Sequence, residues 1–254
     1  MNSWNLNHKK VLITGGTKGI GKATVEAFAE LGAIIIFTAR NKDEVMKMEQ
    51  EYVSKGYHVM GFVADVTLAK DRLAVVDHIH KLWGKLDVLV NNAGMNIRKK
   101  TIEYTEEEYQ KVYHTNFFSA FEFCRLCYPY LLAAKNSAII NVASVAGSFD
   151  VGTGSPYATS KAAMIQMSKS LAVEWAKEGI RVNTVSPWFT VTPLTTSYLA
   201  DLERLEKIQK RTPIGRVAQA EEVASAIAFF AMDKASYISG QHLIIDGGLT
   251  SGVF

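Results

Sequence analysis

Thr14-Gly15-Gly16-Thr17-Lys18-Gly19-Ile20-Gly21 follows the apolar run Val11–Thr14 and opens a segment of helical period, Ile20–Leu31. Glycines at such a place let the backbone turn tightly and approach a pyrophosphate. The first helical turn presents N–H groups and partial positive charge to it. A glycine cluster alone also serves the purely steric needs of a turn. It is the order of strand, glycine turn and helix that points to a nucleotide-binding βα unit.

Working outward, Val- and Ile-rich runs recur at Ala33–Thr38, His58–Ala64, Leu86–Val90, Ala138–Ala143, Ile180–Val185 and Gln241–Ile245. Such runs suit strands buried on both faces. The segments between them, among them Leu68–Trp83, Tyr157–Ala176 and Glu221–Met232, are long enough for crossover helices. This alternation predicts an α/β fold: a single-domain Rossmann-type doubly wound sheet of about seven parallel strands with helices on both faces. Residues 1–254 are expected to form one dinucleotide-binding and catalytic domain. The interval 187–213 is read as a substrate-binding loop or lid within it, because long loops in compact domains are usually functional. Its charged stretch Asp201–Lys210 has a helical pattern.

Composition fits a folded domain, with 48% apolar and 21% charged residues and five prolines. A net charge of +3 from interspersed charges gives no stripe for nucleic acid, so none is expected as a partner. No run approaches a membrane span, and the polar N-terminal stretch Met1–Lys10 has no apolar core. Cys124 and Cys127 are read as buried small residues rather than a redox pair, as no βα turn precedes them. A cytoplasmic location without membrane attachment is expected.

The glycine turn also nearly spells a P-loop, since Gly16 through Lys22 reads G-x-x-x-x-G-K and Val59–Asp65 offers an acidic strand end. A P-loop needs Ser or Thr after the lysine to hold Mg²⁺, and here stands Ala23. Thr24 is rotated by about 100° around the helix. At the second strand end, Phe37-Thr38-Ala39-Arg40-Asn41, an acidic residue would bind the ribose of NAD and a basic one the 2′-phosphate of NADP. Arg40 stands there, and Lys18 in the glycine turn is in a position to reach the same phosphate. NADP(H) is the expected cofactor.

Tyr157 and Lys161 are four apart at a helix start and so share one face. A cation about 4 Å from the phenol favours the phenolate by roughly 4 kcal/mol at an effective dielectric near 20, before desolvation reduces it. The pair suits general acid–base catalysis.

With these residues in view, the chain resembles the short-chain dehydrogenase/reductase family over essentially its whole length. Thr14-Gly15-x-x-x-Gly19-Ile20-Gly21, with Thr17 and Lys18 inside it, resembles the family's cofactor turn. Asp65-Val66 resembles its adenine contact, and Asn91-Asn92-Ala93-Gly94 the motif that steadies the central sheet beside the cofactor. Asn116, Ser144, Tyr157 and Lys161 fit its catalytic tetrad. The resemblance implies that Tyr157 protonates a carbonyl oxygen, Ser144 hydrogen-bonds it, Lys161 binds the nicotinamide ribose and lowers the tyrosine pKa, and Asn116 holds a water that relays protons.

Asn96-Ile97-Arg98, Pro187-Trp188-Phe189 and Arg211-Thr212-Pro213-Ile214-Gly215-Arg216-Val217 are similar to the tropinone reductase-like subgroup. Trp188 and Thr190 depart from the family's commoner glycine and aliphatic residue. By the resemblance Thr190 offers its backbone to the carboxamide, Thr192 contacts the nicotinamide half, and Trp188 packs the pocket or loop base. The implied activity is NADP(H)-dependent interconversion of a ketone and a secondary alcohol by a homotetramer. A 3-oxoacyl-(acyl-carrier-protein) reductase and a non-catalytic nucleotide sensor are the alternatives. No metal is expected, for His78 and His80 do not share a helix face and no His-Glu-x-x-His is present. No Gly-x-Ser-x-Gly elbow suggests a hydrolase. The Tyr-to-Lys spacing is not the lengthened one of the enoyl reductases.

Overall fold

Seven strands, β1 (Lys10–Thr14), β2 (Ile34–Ala39), β3 (Val59–Val63), β4 (Val88–Asn91), β5 (Ser137–Val142), β6 (Ile180–Pro187) and β7 (His242–Ile245), form one sheet in the order β3-β2-β1-β4-β5-β6-β7. Every pairing is parallel. The computed structural model describes residues 4–252, so Met1–Ser3 of the polar N-terminal stretch and residues 253–254 of the expected domain lie outside the described residues. All seven strands stand where the apolar runs predict them, with ends displaced by a residue or two.

The physical reason is burial on both faces. All residues of β4 and β5 are buried, whereas the edge strands β3 and β7 are only partly so. Alternate residues feed two cores. Val11, Ile13, Ile35, Phe37, Val88 and Val90 point to one, while Leu12, Ile36 and Leu89 point to the other. The first core is closed by α1 (Gly19–Glu30), α2 (Lys42–Ser54) and, later in the chain, the helix Ala220–Ala231. The second is closed by α3 (Ala69–Trp83) and by the helices Ser119–Ala133 and Ser155–Glu174.

Local signals set the helix ends. Asn41 caps α2 by accepting from the Glu44 N–H at 3.1 Å, and Gly84 at φ +62° ends α3 in the left-handed conformation. Thr105 and Glu108 form a capping box for α4 (Glu106–Tyr113). A π turn, His114–Phe118, joins α4 to α5 (Ser119–Ala133), and π turns of this kind cluster at functional sites. Pro156 sits in the first turn of α6 (Ser155–Glu174), where its missing N–H costs nothing.

After β6 the 187–213 interval is largely helical, with α7 (Thr196–Leu199) and α8 (Leu202–Arg211), the latter capped by Asp201. The chain then enters α9 (Ala220–Ala231) and β7. Cys124 and Cys127 are free thiols buried on α5, where burial pushes Cys124 up to about 12 and Cys127 upward too. That places them in the core. Among the described residues no helix is long and apolar enough to cross a membrane.

The strand order reverses between β1 and β4. At such a switch point the loops leaving the carboxyl ends of neighbouring strands diverge and open a crevice, the usual ligand position in doubly wound sheets.

Candidate active site

A cleft of about 840 Å³ opens at this point. Its floor is the glycine turn after β1. Gly15 and Gly19 have φ of +70° and +51°, conformations that L side chains rarely adopt. A β-carbon on Gly16 would meet Phe37, and one on Gly19 would meet Thr192 at 2.9 Å. No side chain caps α1 and no carboxylate stands in its first turn. Its free N–H groups and positive end therefore face the cleft without competition.

Asn92 locks this turn to the neighbouring strand. Its Nδ2 donates to the Thr14 and Gly15 carbonyls at 3.1 and 3.0 Å, and the Asn92 and Ala93 N–H groups both donate to Thr14 Oγ1 at 3.1 Å. The short Asn-Asn-Ala-Gly loop thereby holds the diverging ends of β1 and β4 together. Gly94 lies between Asn116 and Lys161, each 3.5 Å from where its β-carbon would be.

Of the residues singled out in the sequence, Gly15, Thr17, Lys18, Gly19 and Ile20 line the cleft, as do Arg40, Asp65 and Val66 at its β2–β3 end. Asn92, Ala93 and Gly94 form the middle, and Ser144, Tyr157 and Lys161 the far wall with Pro187, Trp188, Thr190 and Thr192. Gly21 packs behind the glycine turn. Asn116 is also behind the wall, fully buried in the π turn. It accepts from the Met95 N–H at 2.8 Å and donates to the Met95 carbonyl at 3.0 Å and Ser160 Oγ at 3.1 Å.

At the β2–β3 end Arg40 is exposed and faces the cleft. Burial works against the Asp65 carboxylate, but hydrogen bonds from Thr67 and the charge of Arg40 outweigh it and hold Asp65 below its ordinary pKa. The strand end itself carries no carboxylate, yet the first turn of α2 brings one back. Glu44 pairs with Lys18 at 2.7 Å and accepts from Thr17 Oγ1 at 3.4 Å. Thr24, the hydroxyl nearest to a P-loop's Mg²⁺ ligand, is fully buried and donates to the Ile20 carbonyl at 2.7 Å. Its hydroxyl hydrogen is thus committed to the helix's own backbone.

On the far wall the buried Lys161 ammonium donates to the Val142 carbonyl at 2.8 Å and lies 5.8 Å from the centre of the Tyr157 ring. Burial lowers its pKa to about 8. Burial also raises the Tyr157 pKa, opposed by a hydrogen bond with Ser144 and by the charge of Arg98. The chain alone thus shifts the phenol opposite to the expectation from the Tyr-x-x-x-Lys spacing. The reasons are desolvation, which outweighs the Ser144 hydrogen bond and the Arg98 charge, and a lysine turned toward Val142.

Trp188 is 9% exposed, with Nε1 donating to Thr212 Oγ1 at 3.2 Å. Thr190 bridges Ala218, but the ladder is made by the Val191 N–H and the Phe189 carbonyl. The main-chain groups of Thr190 itself face the other way. Its carbonyl accepts from Thr195 Oγ1 at 2.5 Å, a hydroxyl that also meets Thr192 Oγ1 at 3.1 Å. Thr195, Glu44 and the position of Arg98 were not evident in the sequence, where only the Asn-Ile-Arg triplet marked the last.

The family model described as Enoyl-(Acyl carrier protein) reductase matches residues 15–250. A tropinone reductase homolog of Arabidopsis thaliana is 42% identical over 99% of this chain and 93% of its own. Senescence-associated protein 13 of Arabidopsis thaliana is 40% identical over the same shares. Among solved structures, a gluconate 5-dehydrogenase from Burkholderia cenocepacia J2315 in complex with NADP and tartrate superposes with a TM-score of 0.95. It is 30% identical, and 99% of each chain is covered. A short-chain type dehydrogenase/reductase from Mycobacterium marinum gives 0.92 at 30% identity, with 98% of each covered.

Proposed function

Because the chain belongs to the short-chain dehydrogenase/reductase family, with tropinone reductase-like relatives, we propose that it is an NADP(H)-dependent carbonyl reductase or alcohol dehydrogenase acting through Tyr157. The observation that carries this reading is a single cleft in which a glycine turn and uncapped helix end lie opposite the Ser144, Tyr157 and Lys161 side chains.

The residues present fit a dinucleotide. Gly15, Gly19 and the start of α1 cradle the pyrophosphate where side chains would intrude. Arg40 and Lys18 receive the 2′-phosphate, and Asp65 and Val66 border the adenine. The Thr190 N–H takes the carboxamide, with Thr192 beside it and Pro187 and Trp188 forming the base. When bound, the nicotinamide supplies or accepts the hydride.

The chain's own residues handle the proton. In reduction the Tyr157 phenol gives its proton to the carbonyl oxygen as the carbon gains hydride, and Ser144 donates a hydrogen bond to that oxygen. Lys161 has two ammonium hydrogens beyond the one given to Val142, which suit ribose hydroxyls and stabilise the phenolate left behind. Asn116, expected from the resemblance to hold a relay water, has its side chain committed to Met95 and Ser160, and we assign it instead a positioning role that keeps the π turn and α6 aligned beside the proton path. Oxidation of the alcohol is the reverse. The unlengthened Tyr-x-x-x-Lys spacing supports carbonyl rather than enoyl reduction, and a sensor would not need the complete tetrad.

Screening ketones and alcohols by NADPH absorbance tests the reading. Tyr157→Phe should lower turnover by about 10²–10⁴ while NADPH still binds. Near-normal turnover by folded Tyr157→Phe on a verified substrate would overturn it.

A further inference from the structure

Arg98 stands in the loop between β4 and α4, on the wall of the cleft that holds Tyr157. Its guanidinium lies over two rings, 4.5 Å from the centre of Tyr198 and 5.7 Å from that of Phe189. Those rings stack on each other at 5.4 Å. Stacking of this kind uses the face of a guanidinium and leaves its in-plane N–H donors free. Nη1 of Arg98 is buried with no hydrogen-bond partner. Among the described residues the acidic side chains lining the cleft are Glu44 and Asp65, and both are engaged at its β2–β3 end.

A neighbouring acceptor is also unused. Asn96 Nδ2 donates to the Thr153 carbonyl at 3.1 Å, which fixes the orientation of the amide, and its Oδ1 is buried without a partner. A buried donor and a buried acceptor left open on the wall of a catalytic cleft carry a desolvation cost that a complementary ligand removes.

We propose that Arg98 makes this enzyme selective for substrates bearing a carboxylate: an oxo acid or hydroxy acid whose carboxylate lies edge-on to the guanidinium, with a further substrate hydroxyl donating to Asn96. A planar carboxylate matches the guanidinium fork as a neutral ketone does not. The proposal rests on the carbonyl-reductase reading above and adds the substrate class to it. Arg98 is a specificity residue, and its contact with Tyr198 on α7 couples substrate charge to the 187–213 segment.

The test uses the NADPH-loaded enzyme and short oxo acids with the carbonyl at increasing distance from the carboxylate, each paired with its methyl ester. Levulinate and methyl levulinate form the first pair. The acid is expected to have a KM lower than its ester by about 10- to 100-fold. Arg98→Met should raise the acid's KM to that of the ester and leave the ester's KM and the NADPH affinity unchanged, with Arg98→Lys recovering part of the difference; the effect of the lost charge on Tyr157 falls on kcat for acid and ester alike. Titration of the NADP⁺ complex with levulinate, read by tryptophan fluorescence, should show saturation in the native protein and not in Arg98→Met. Equal KM for acid and ester in the native enzyme overturns the proposal. So does an equal rise in both KM values in Arg98→Met, which would mean that the arginine only supports the aromatic stack. If no carbonyl compound turns over, the carbonyl-reductase reading fails instead. The levulinate titration then decides the carboxylate claim by itself, and equal saturation of both proteins, or of neither, overturns it.

Discussion

A β-carbon on Gly21 would lie 2.0 Å from the carbonyl oxygen of Gly15. The same carbonyl accepts from Asn92 Nδ2 at 3.0 Å, and that nitrogen would be 2.5 Å from the added carbon. The first turn of α1 is therefore pressed onto the glycine loop, and Asn92 pins the loop to β4. A side chain at position 21 has to lift the helix start away from the turn it closes.

Gly21→Ala is accordingly expected to destabilise the protein by about 1–3 kcal/mol, the usual range for overpacking, and to weaken NADPH binding more than tenfold. Gly56→Ala is the comparison, since its φ is +83° but no atom lies within 4 Å of the added carbon. It should cost stability by backbone strain alone, about 1–2 kcal/mol, and leave NADPH binding untouched. Thermal melts and fluorescence titrations of both variants separate the outcomes.

Cofactor choice turns on Arg40 and on the Lys18–Glu44 pair. A charge-assisted hydrogen bond contributes about 1.5–3 kcal/mol, so NADP(H) should bind at least about tenfold more tightly than NAD(H). Arg40→Asp should narrow or invert the gap. Glu44→Gln should widen it, because Lys18 loses the partner that holds it at 2.7 Å. Equal affinities in the native protein would falsify the assignment of Arg40 to the 2′-phosphate.

These cases show which features the sequence exposes. The seven strands were legible because both faces of the central ones are buried, which leaves uninterrupted apolar runs. The glycine turn and the tetrad were legible as residue types at fixed spacings. The π turn at Asn116 was not, since its one extra residue shifts the helical phase by only about 100°, too little to show in so short an apolar pattern. Glu44 escaped notice because it reaches Lys18 only after the chain has turned back into α2. The direction of the Tyr157 shift is not legible, because spacing tells which residues share a face but says nothing about desolvation. Arg98 owes its surroundings to Phe189 and Tyr198, distant in the chain, and no local pattern reports that packing.

Assembly is the third expectation. Phe118, the last residue of the π turn, and Phe121, at the start of α5, are 47% and 42% exposed, and Val173 near the end of α6 is 82% exposed. Phe117 links the two phenylalanines through ring contacts at 5.5 and 6.3 Å. Apolar faces of this kind are usually covered by a partner. A homotetramer, or at least a dimer, is expected by light scattering at micromolar concentration. A monomeric mass there rejects it. Phe121→Glu should shift the distribution toward smaller species.

The last expectation separates what Lys161 does for catalysis from what it does to stability. Burial holds its folded-state pKa near 8, below the 10.5 of an ordinary lysine. Between those values the unfolded chain carries the proton and the folded chain does not, so the group's contribution to stability rises with pH across that window. Below about pH 8 both states are protonated and the buried charge costs stability in full, by up to roughly 3 kcal/mol. Lys161→Met should therefore melt higher than the native protein near pH 7 in the absence of nucleotide, with the advantage shrinking as pH rises from 8 toward 10.5. The same variant should lose turnover and NADPH affinity together, unlike Tyr157→Phe, which should lose turnover alone. A Lys161→Met protein that melts lower at neutral pH, or whose advantage does not change with pH, would show that the ammonium is better satisfied in the fold than its single bond to Val142 indicates.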